Sequence, residues 1–357
     1  NTLMLPPRDV DEVIARLPLV RSTALPAPTF NAEENDNSSR LVLGVESMRH
    51  HMTDEGWQLT YGLSEQGYLH CGHRLPEPST DVLHLVNTYT PGTVVVQDKR
   101  EWDFDRHNFR DPQSRFRGIN RLASMSNIFR VTVLKDAQQR PYWHSAAATE
   151  MGCNAWIVYY HPRIVKHVAP YVRTEHLIRT YHTLDPDVVP VYTSSERSGC
   201  LFSGAVSSAY PLRQRIVQKQ GLLPITSLNH PGYHRKGTDT PNYLLMLSKF
   251  KVAICTSSMY GYSLRKIIEA TAAGCRVITD LPTDDYLPDI DDNLIRIHPD
   301  IEIKDLRSVI ESAMEIYDPK VQREFSNKCL ATYNYRVQSL LLHNKITELR
   351  KNYNGKN

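Results

Sequence analysis

Lys251-Val252-Ala253-Ile254-Cys255-Thr256-Ser257-Ser258-Met259-Tyr260-Gly261-Tyr262-Ser263-Leu264-Arg265-Lys266-Ile267-Ile268-Glu269-Ala270-Thr271-Ala272-Ala273-Gly274-Cys275-Arg276-Val277-Ile278-Thr279-Asp280 is the stretch that decides the fold. A short apolar run, Val252 to Cys255, has the composition of a buried strand. A small, polar, glycine-containing loop follows, and a helix is expected from about Ser263, which is placed to cap it. Leu264, Ile267, Ile268, Thr271 and Ala272 recur at i, i+3, i+4, i+7 and i+8, so one helical face packs on a sheet. Gly274 stands where the residue after a helix C-cap belongs, and Val277 to Asp280 begins the next strand. Such a βαβ unit puts the helix N-terminus at the carboxyl edge of a parallel sheet, where open α/β sheets bind ligands and where helix ends favour phosphate. Arg265 and Glu269 share a helix face, and a cation in the first turn opposes the helix dipole unless an anion joins it. A carboxylate one turn on is able to accept two ribose hydroxyls; the plain alternative is an ordinary surface ion pair.

The same grammar extends in both directions. Toward the C-terminus, Leu294 to Ile297 reads as a strand, and Ile303 to Tyr317, Val321 to Leu330 and Tyr333 to Lys351 read as helices. Toward the N-terminus, Cys200 to Ser203 and Gly221 to Leu228 read as strands, and Pro211 to Lys219 and Tyr243 to Ser248 as helices. A first α/β unit is expected from strands at Leu41 to Val45, Trp57 to Tyr61, Asp81 to Asn87, Thr93 to Gln97, Phe129 to Leu134 and Ala155 to Tyr160. The expected organisation is an irregular, proline-bearing arm over 1–39, including a short helical stretch at Val10 to Leu17. An α/β domain over 40–187 and a second over 188–332 follow. The final helical stretch over 333–357 is placed to return to the first domain. A proline-bearing linker at Asp185 to Pro190 between two α/β halves suggests a ligand cleft.

The chain has 357 residues, enough for two domains whose cores need no disulfide or structural metal. Its 41% hydrophobic and 23% charged residues exclude disordered, collagenous and coiled-coil classes. Mean hydropathy is −0.43 and no apolar run is long enough to span a bilayer. Forty-two Lys and Arg against 39 Asp and Glu give +3, which permits a polyanionic partner without arguing for one. The six cysteines, Cys71, Cys153, Cys200, Cys255, Cys275 and Cys329, form no CxxC pair and read as buried thiols of an intracellular protein. Asn37-Ser38-Ser39 is a sequon discounted on the same ground.

Three other segments carry candidate chemistry. Cys200 to Arg215 reads as strand, small-residue loop and helix, with Pro211 suited to the first turn. Gly204 lets a backbone approach a diphosphate closely. Arg213 and Arg215 lie about 200° apart on a helix, so one of them at most points to the site. Thr93 to Arg100 puts Asp98 at the end of a buried strand, where a general base belongs; a helix cap or a partner for Arg100 is the alternative. His230-Pro231-Gly232-Tyr233 is a tight turn after a strand, with Tyr233 able to stack on a base and His230 beside it.

Several motifs read as decoration. Asp103-Phe104-Asp105 follows no strand directly and is not taken as a metal site, and His70-Cys71-Gly72-His73 has no second cluster at ligand spacing. The basic and aromatic residues between Lys99 and Arg121 are diluted by Glu101, Asp103, Asp105 and Asp111, so they read as a solvated segment rather than a nucleic-acid face.

The run from Ser263-Leu264-Arg265 through Glu269-Ala270-Thr271-Ala272-Ala273-Gly274 to Asp280 resembles the nucleotide-binding helix of GT-B glycosyltransferases. In many of these, the glutamate of Glu-Ala-x-Ala-x-Gly holds the donor ribose. Eight positions before Glu269 stands Gly261, a departure from the retaining two-glutamate version. A closer resemblance is to the phage DNA β-glucosyltransferases, inverting GT-B enzymes with Thr-Leu-Arg…Glu-Thr in this helix. The Arg-to-Glu spacing here is one residue longer, so Lys266 competes with Arg265 for the nucleotide. Asp98-Lys99-Arg100 resembles their Asp-x-Arg, whose aspartate deprotonates the acceptor hydroxyl.

The resemblance implies two Rossmann-like domains facing across a cleft and no required cofactor or metal. The implied reaction moves a sugar, with glucose expected, from a UDP-sugar to an acceptor hydroxyl with inversion. Asp98 would be the base. The donor would meet Gly204, Arg213, Arg215, His230, Tyr233, Tyr262, Ser263, Arg265, Lys266 and Glu269. The acceptor stays open between a modified DNA base, a glycan, a protein and a small molecule. Two rivals also stay open: a sugar-nucleotide epimerase of the same fold, and a non-catalytic nucleotide- or nucleic-acid-binding module.

Overall fold

In a computed structural model, residues 39–43, 55–71, 80–96, 116–134, 151–159, 161–170, 172–190, 192, 197–228 and 240–353 are described. They divide into two compact units, one over 182–334 and the other over the preceding described residues together with 335–353. Asp98, His230, Tyr233, the 99–115 segment and residues 1–38 of the expected N-terminal arm lie outside the described residues, and its last residue, Ser39, begins the first strand.

The first unit is built on six parallel strands: β1 (Ser39–Leu43), β2 (Tyr68–Cys71), β4 (Pro91–Val96), β6 (Phe129–Leu134), β7 (Ala155–Val158) and β8 (Leu177–Arg179), in spatial order β2-β1-β4-β6-β7-β8. A two-stranded parallel pair, β3 (Thr80–Asp81) and β5 (Phe116–Arg117), stands apart. The helices are α1 (Glu55–Glu65), α2 (Val82–Tyr89), α3 (Pro162–Val168) and the C-terminal α9 (Tyr335–Asn352). All six residues of β4 and of β6 are buried, as continuous apolar runs require when helices cover both faces of a sheet. Leu59 and Leu63 of α1 and Leu342 and Ile346 of α9 share a core with Val42, Val95, Val131 and Ile157. Trp57 stacks on Tyr61 at 5.0 Å, and both rings meet Tyr335 at the start of α9.

Two expected strands are helices. Trp57 to Tyr61 lies inside α1, where Leu59, Gly62 and Leu63 are buried with helical spacing. Asp81 to Asn87 is mostly α2, because the Asp81 carboxylate accepts the Leu83 amide at 2.8 Å and caps a helix there. Short runs rich in Trp, Tyr, Thr and Val fit either state, and packing overrides their β preference. Strands β2 and β8 lacked a long apolar run and were not foreseen.

The second unit holds β9 (Cys200–Ser203), β10 (Thr226–Leu228), β11 (Val252–Ile254), β12 (Arg276–Thr279) and β13 (Leu294–Arg296). All are parallel, in the order β10-β9-β11-β12-β13. Helices α4 (Pro211–Gln218), α5 (Thr240–Leu247), α6 (Arg265–Ala272), α7 (Ile303–Glu315) and α8 (Pro319–Thr332) complete it. Cys200, Phe202, Val252, Ile254 and Ile278 form one core with Leu212 and Ile216 of α4 and Leu306 and Ile310 of α7. The stretch expected as a strand from Gly221 contributes only its last three residues, after a 3-10 turn. Cys153, Cys200, Cys255, Cys275 and Cys329 are free and buried.

Helix α6 ends as its sequence predicts. The Gly274 amide donates to Thr271 O at 2.9 Å and Cys275 N to Ala270 O at 2.9 Å, a Schellman pair with Gly274 at φ +86°. A Cβ at Gly274 would lie 2.4 Å from Cε2 of the Tyr192 ring. Gly67 has nearly the same φ, +84°, but nothing within 4 Å of its would-be Cβ. Gly67→Ala therefore isolates backbone strain, about 1 kcal/mol. Gly274→Ala adds overpacking and is expected to cost about 2–4 kcal/mol. Urea unfolding midpoints of the two variants measure the difference, and equal midpoints would mean that Tyr192 yields freely.

Candidate functional site

In the second unit the sheet reverses its direction of growth between β9 and β11. In open parallel sheets, the carboxyl ends of two such neighbouring strands splay their loops apart and leave a crevice. Here the loops are 204–210, leading into α4, and 255–264, leading into α6. Both quoted segments of candidate chemistry in this unit end at this one place.

Gly204 lies at its centre. Its φ is +131°, a backbone state that a side chain opposes. A Cβ there would sit 2.8 Å from Nη1 of Arg213 and 3.0 Å from Nζ of Lys266. Two cationic heads from two different helices thus flank one bare stretch of backbone. Arg213 is 3% exposed and rigidly held. Its Nε donates to Thr256 Oγ1 at 2.6 Å, Nη2 to Thr256 O at 3.2 Å and Nη1 to Ala205 O at 3.1 Å, and its guanidinium stacks 3.8 Å from the Tyr210 ring centre. Lys266 donates to Ser203 Oγ at 3.0 Å and lies 5.3 Å from the ring centre of Tyr243.

Burial, and next the charge of Arg213, push the Lys266 amine down to about 8, while Glu269 and Cys255 pull it partly back. Burial likewise lowers Arg213 from its ordinary value. Two desolvated like charges at the mouth of a parallel sheet are an unfavourable arrangement in isolation, and an anion set between them relieves it.

Arg215 turns elsewhere. It donates to Pro299 O at 2.8 Å, and to Asp300 O and Ile301 O, clamping the loop before α7. The expectation that Arg215 reaches the site is corrected: the helical twist that brings Arg213 to Gly204 carries Arg215 to the far side.

Ser263 is not the helix cap either. The N-cap position is Leu264, and the Ser263 amide donates to Asp285 Oδ2 at 3.0 Å while its carbonyl meets His182 Nε2 at 3.2 Å. Arg265 and Glu269 pair at 3.6 Å with side chains 11% and 7% exposed, so the pair is buried rather than surface decoration. Arg265 Nε also donates to Thr183 O at 3.1 Å. Of the two adjacent cations, Lys266 faces Gly204 and Arg265 faces the 182–184 segment. Tyr262 is buried and lies nearly parallel to Tyr260, 6.4 Å away.

Sequence reading passed over Ser203, Tyr243, Thr256, Asp280 and Asp285. Asp280 Oδ1 accepts the Ser257 amide at 2.5 Å and so shapes the loop after β11. Tyr243, on a helix with no motif, reaches Ser203 Oγ at 2.7 Å across 40 residues. No local pattern marks such a contact. Among the described residues no group of three or more His, Cys, Asp or Glu side chains is placed to hold a metal ion, and no helix is long and apolar enough to cross a membrane.

No protein-family model matches the chain, and no curated protein matches it in sequence. Solved structures do. Anabaena HepE in complex with UDP-glucose superposes with a TM-score of 0.53 at 12% identity, over 87% of this chain and 99% of that one. The same protein in complex with UDP and glucose gives 0.51 at 11% identity, over 89% and 100%. The fold is GT-B. In this GT-B chain the Gly204 cluster occupies the switch point of the C-terminal sheet. In the N-terminal sheet the corresponding reversal lies between β1 and β4. Asp98 follows the last residue of β4, Val96, by two positions.

Proposed function

We propose that the protein is a glycosyltransferase that takes a UDP-sugar, with UDP-glucose the expected donor, and transfers the sugar to an acceptor hydroxyl with inversion. The observation that carries this reading is the pair of cations, buried Arg213 and half-buried, desolvated Lys266, flanking Gly204 at the switch point. A diphosphate there would bring two negative groups to donors already held in place, and its departure as UDP would be stabilised by the same charges. These cations supply the positive charge that other transferases obtain from a divalent ion, which supports a metal-independent reaction. The likeness to HepE, seen with UDP and with UDP-glucose, supports the choice of nucleotide.

Glu269, one turn beyond Lys266, is the proposed acceptor of the ribose hydroxyls, with Arg265 orienting its carboxylate. His230 and Tyr233 follow β10 in sequence and are proposed to meet the base. Asp98 is the proposed general base: it takes the proton of the acceptor hydroxyl as that oxygen attacks the anomeric carbon from the face opposite UDP. Its assignment rests on the strand-end position and on the likeness to the phage enzymes' Asp-x-Arg. The buried free thiols among the described residues support an intracellular setting.

Isothermal titration of UDP against wild type and Glu269→Ala tests the donor site. Losing a carboxylate bound to two hydroxyls is expected to weaken UDP about 10- to 100-fold while UDP-to-dUDP discrimination collapses. Equal affinity would remove the ribose role. A donor-hydrolysis assay with UDP-glucose separates enzyme from binder: tight UDP without any release of UDP from a panel of donors would favour a non-catalytic module.

A further inference from the structure

The hydrogen bonds behind Gly204 do not balance. Lys266 carries three N–H groups and no lone pair, so it must donate to Ser203 Oγ at 3.0 Å. Tyr243 OH meets the same oxygen at 2.7 Å. Burial, and next the neighbouring Cys255 and Glu269, hold that phenol well above its usual value, so it stays protonated. If Tyr243 donates, Ser203 Oγ accepts twice and the serine hydrogen is left over. If Ser203 donates, the tyrosine hydrogen is left over, because Ser203 is the hydroxyl's hydrogen-bond partner among the described residues. Either way one hydroxyl hydrogen and two ammonium hydrogens find no acceptor among the described residues, beside a glycine whose missing Cβ lets both cationic heads approach its backbone. Donors drawn partly out of water favour an acceptor, so this surplus fits an oxygen-rich anion from outside.

We infer that Tyr243 is a positioning residue for phosphate recognition: its hydroxyl donates to Ser203 Oγ and turns the serine hydrogen, alongside the Lys266 ammonium, toward a phosphoryl oxygen at Gly204. The inference rests on the donor site proposed above. Tyr243 contributes twice, since its ring also lies 5.3 Å from the ammonium and favours its charged form. The groups that face the amine are Arg213 from α4, Glu269 from α6 itself, Cys255 from the end of β11, Ser203 from β9 and Tyr243 from α5. Of these, only Ser203 accepts a hydrogen bond from the ammonium at the distance given.

Titrations of UDP and of uridine into the full-length protein, between pH 6.5 and 9.5, test this. Tyr243→Phe keeps the ring and deletes the hydroxyl. It is expected to weaken UDP roughly five- to tenfold and to leave uridine unchanged. Ser203→Ala is expected to weaken UDP at least as much, and to move the alkaline fall in UDP affinity to lower pH, because the ammonium loses its acceptor. Ser203→Thr, which keeps the hydroxyl, restores both. Unchanged UDP affinity in Tyr243→Phe overturns the inference. So does an equal loss for uridine, which would mark general loosening. Should Tyr243→Phe fail to fold by circular dichroism, the Ser203→Ala and Ser203→Thr pair decides by the same criteria. A wild-type protein that binds no UDP would overturn the donor site itself, and that result is seen before any variant is made.

Discussion

Lys266→Met is expected to weaken UDP binding about 10- to 100-fold at pH 7 without lowering the melting temperature. The loss follows from deleting a charge-assisted contact to a diphosphate. The retained stability follows from burial: methionine fills similar space without a desolvated charge. A residue kept only for packing would behave the other way, losing stability and not affinity.

The pH dependence makes the argument sharper, because affinity and stability run in opposite directions. The amine titrates at about 8 in the folded chain against 10.5 when unperturbed. Below 8 the folded protein carries the full cost of a charged, desolvated amine. Between 8 and 10.5 the unfolded chain still holds the proton that the folded chain has released, so this group adds stability as pH rises. The difference corresponds to about 3 kcal/mol. Over the same interval the ammonium that UDP needs disappears, so UDP affinity falls through pH 8. The five buried thiols, which burial pushes up, work against stability at high pH. Cys153, Cys200, Cys275 and Cys329 do so equally in wild type and Lys266→Met and cancel in the comparison, whereas Cys255, which the Lys266 charge holds lower, rises further in the variant. Thermal melts and UDP titrations on both proteins from pH 7 to 10 read the two slopes. If both proteins show the same affinity slope, Lys266 is not the group that meets the phosphate.

Asp98→Asn carries the second large effect. The amide matches the carboxylate in shape and cannot take a proton. If Asp98 deprotonates the acceptor, turnover is expected to fall about 10²- to 10⁴-fold while UDP affinity stays within twofold. Donor hydrolysis by water should fall with it, since water is then the acceptor. The release of UDP from UDP-glucose, followed for wild type and variant beside a UDP titration, measures this without knowing the natural acceptor. A variant that loses UDP affinity but keeps its turnover at saturating donor would move Asp98 out of the chemistry and into binding.

Much of the C-terminal unit is written in local pattern. Ile267, Ile268, Thr271 and Ala272 repeat with the helical period, and Gly274 ends the helix in the one conformation that glycine adopts without strain. The β9 segment, Cys200 to Ser203, is an apolar run of three residues closed by a serine, set between turn residues, and is a strand over those same residues. The pattern was ambiguous where runs were short and aromatic. Trp57 to Tyr61 suits a strand until α9 is laid against it, and residues 335–353 are too distant in sequence for any window to see. The Asp81 cap belongs to the same class, since one side-chain hydrogen bond there outweighs the β preference of the valines that follow.

The sequence alone therefore determined that the chain is α/β, where most buried strands of the second sheet lie, and which helix bears cations in its first turn. It also determined that Arg213 and Arg215 diverge, because 3.6 residues per turn require it. Which of the two turns to Gly204, and that Lys266 rather than Arg265 joins it there, only the tertiary structure decided. So did the contact of Tyr243 with Ser203. The reason is physical: periodicity fixes direction around one helix, whereas the meeting of β9, α4, α5 and α6 at one sheet edge depends on strand order, which is set by the packing of the whole core.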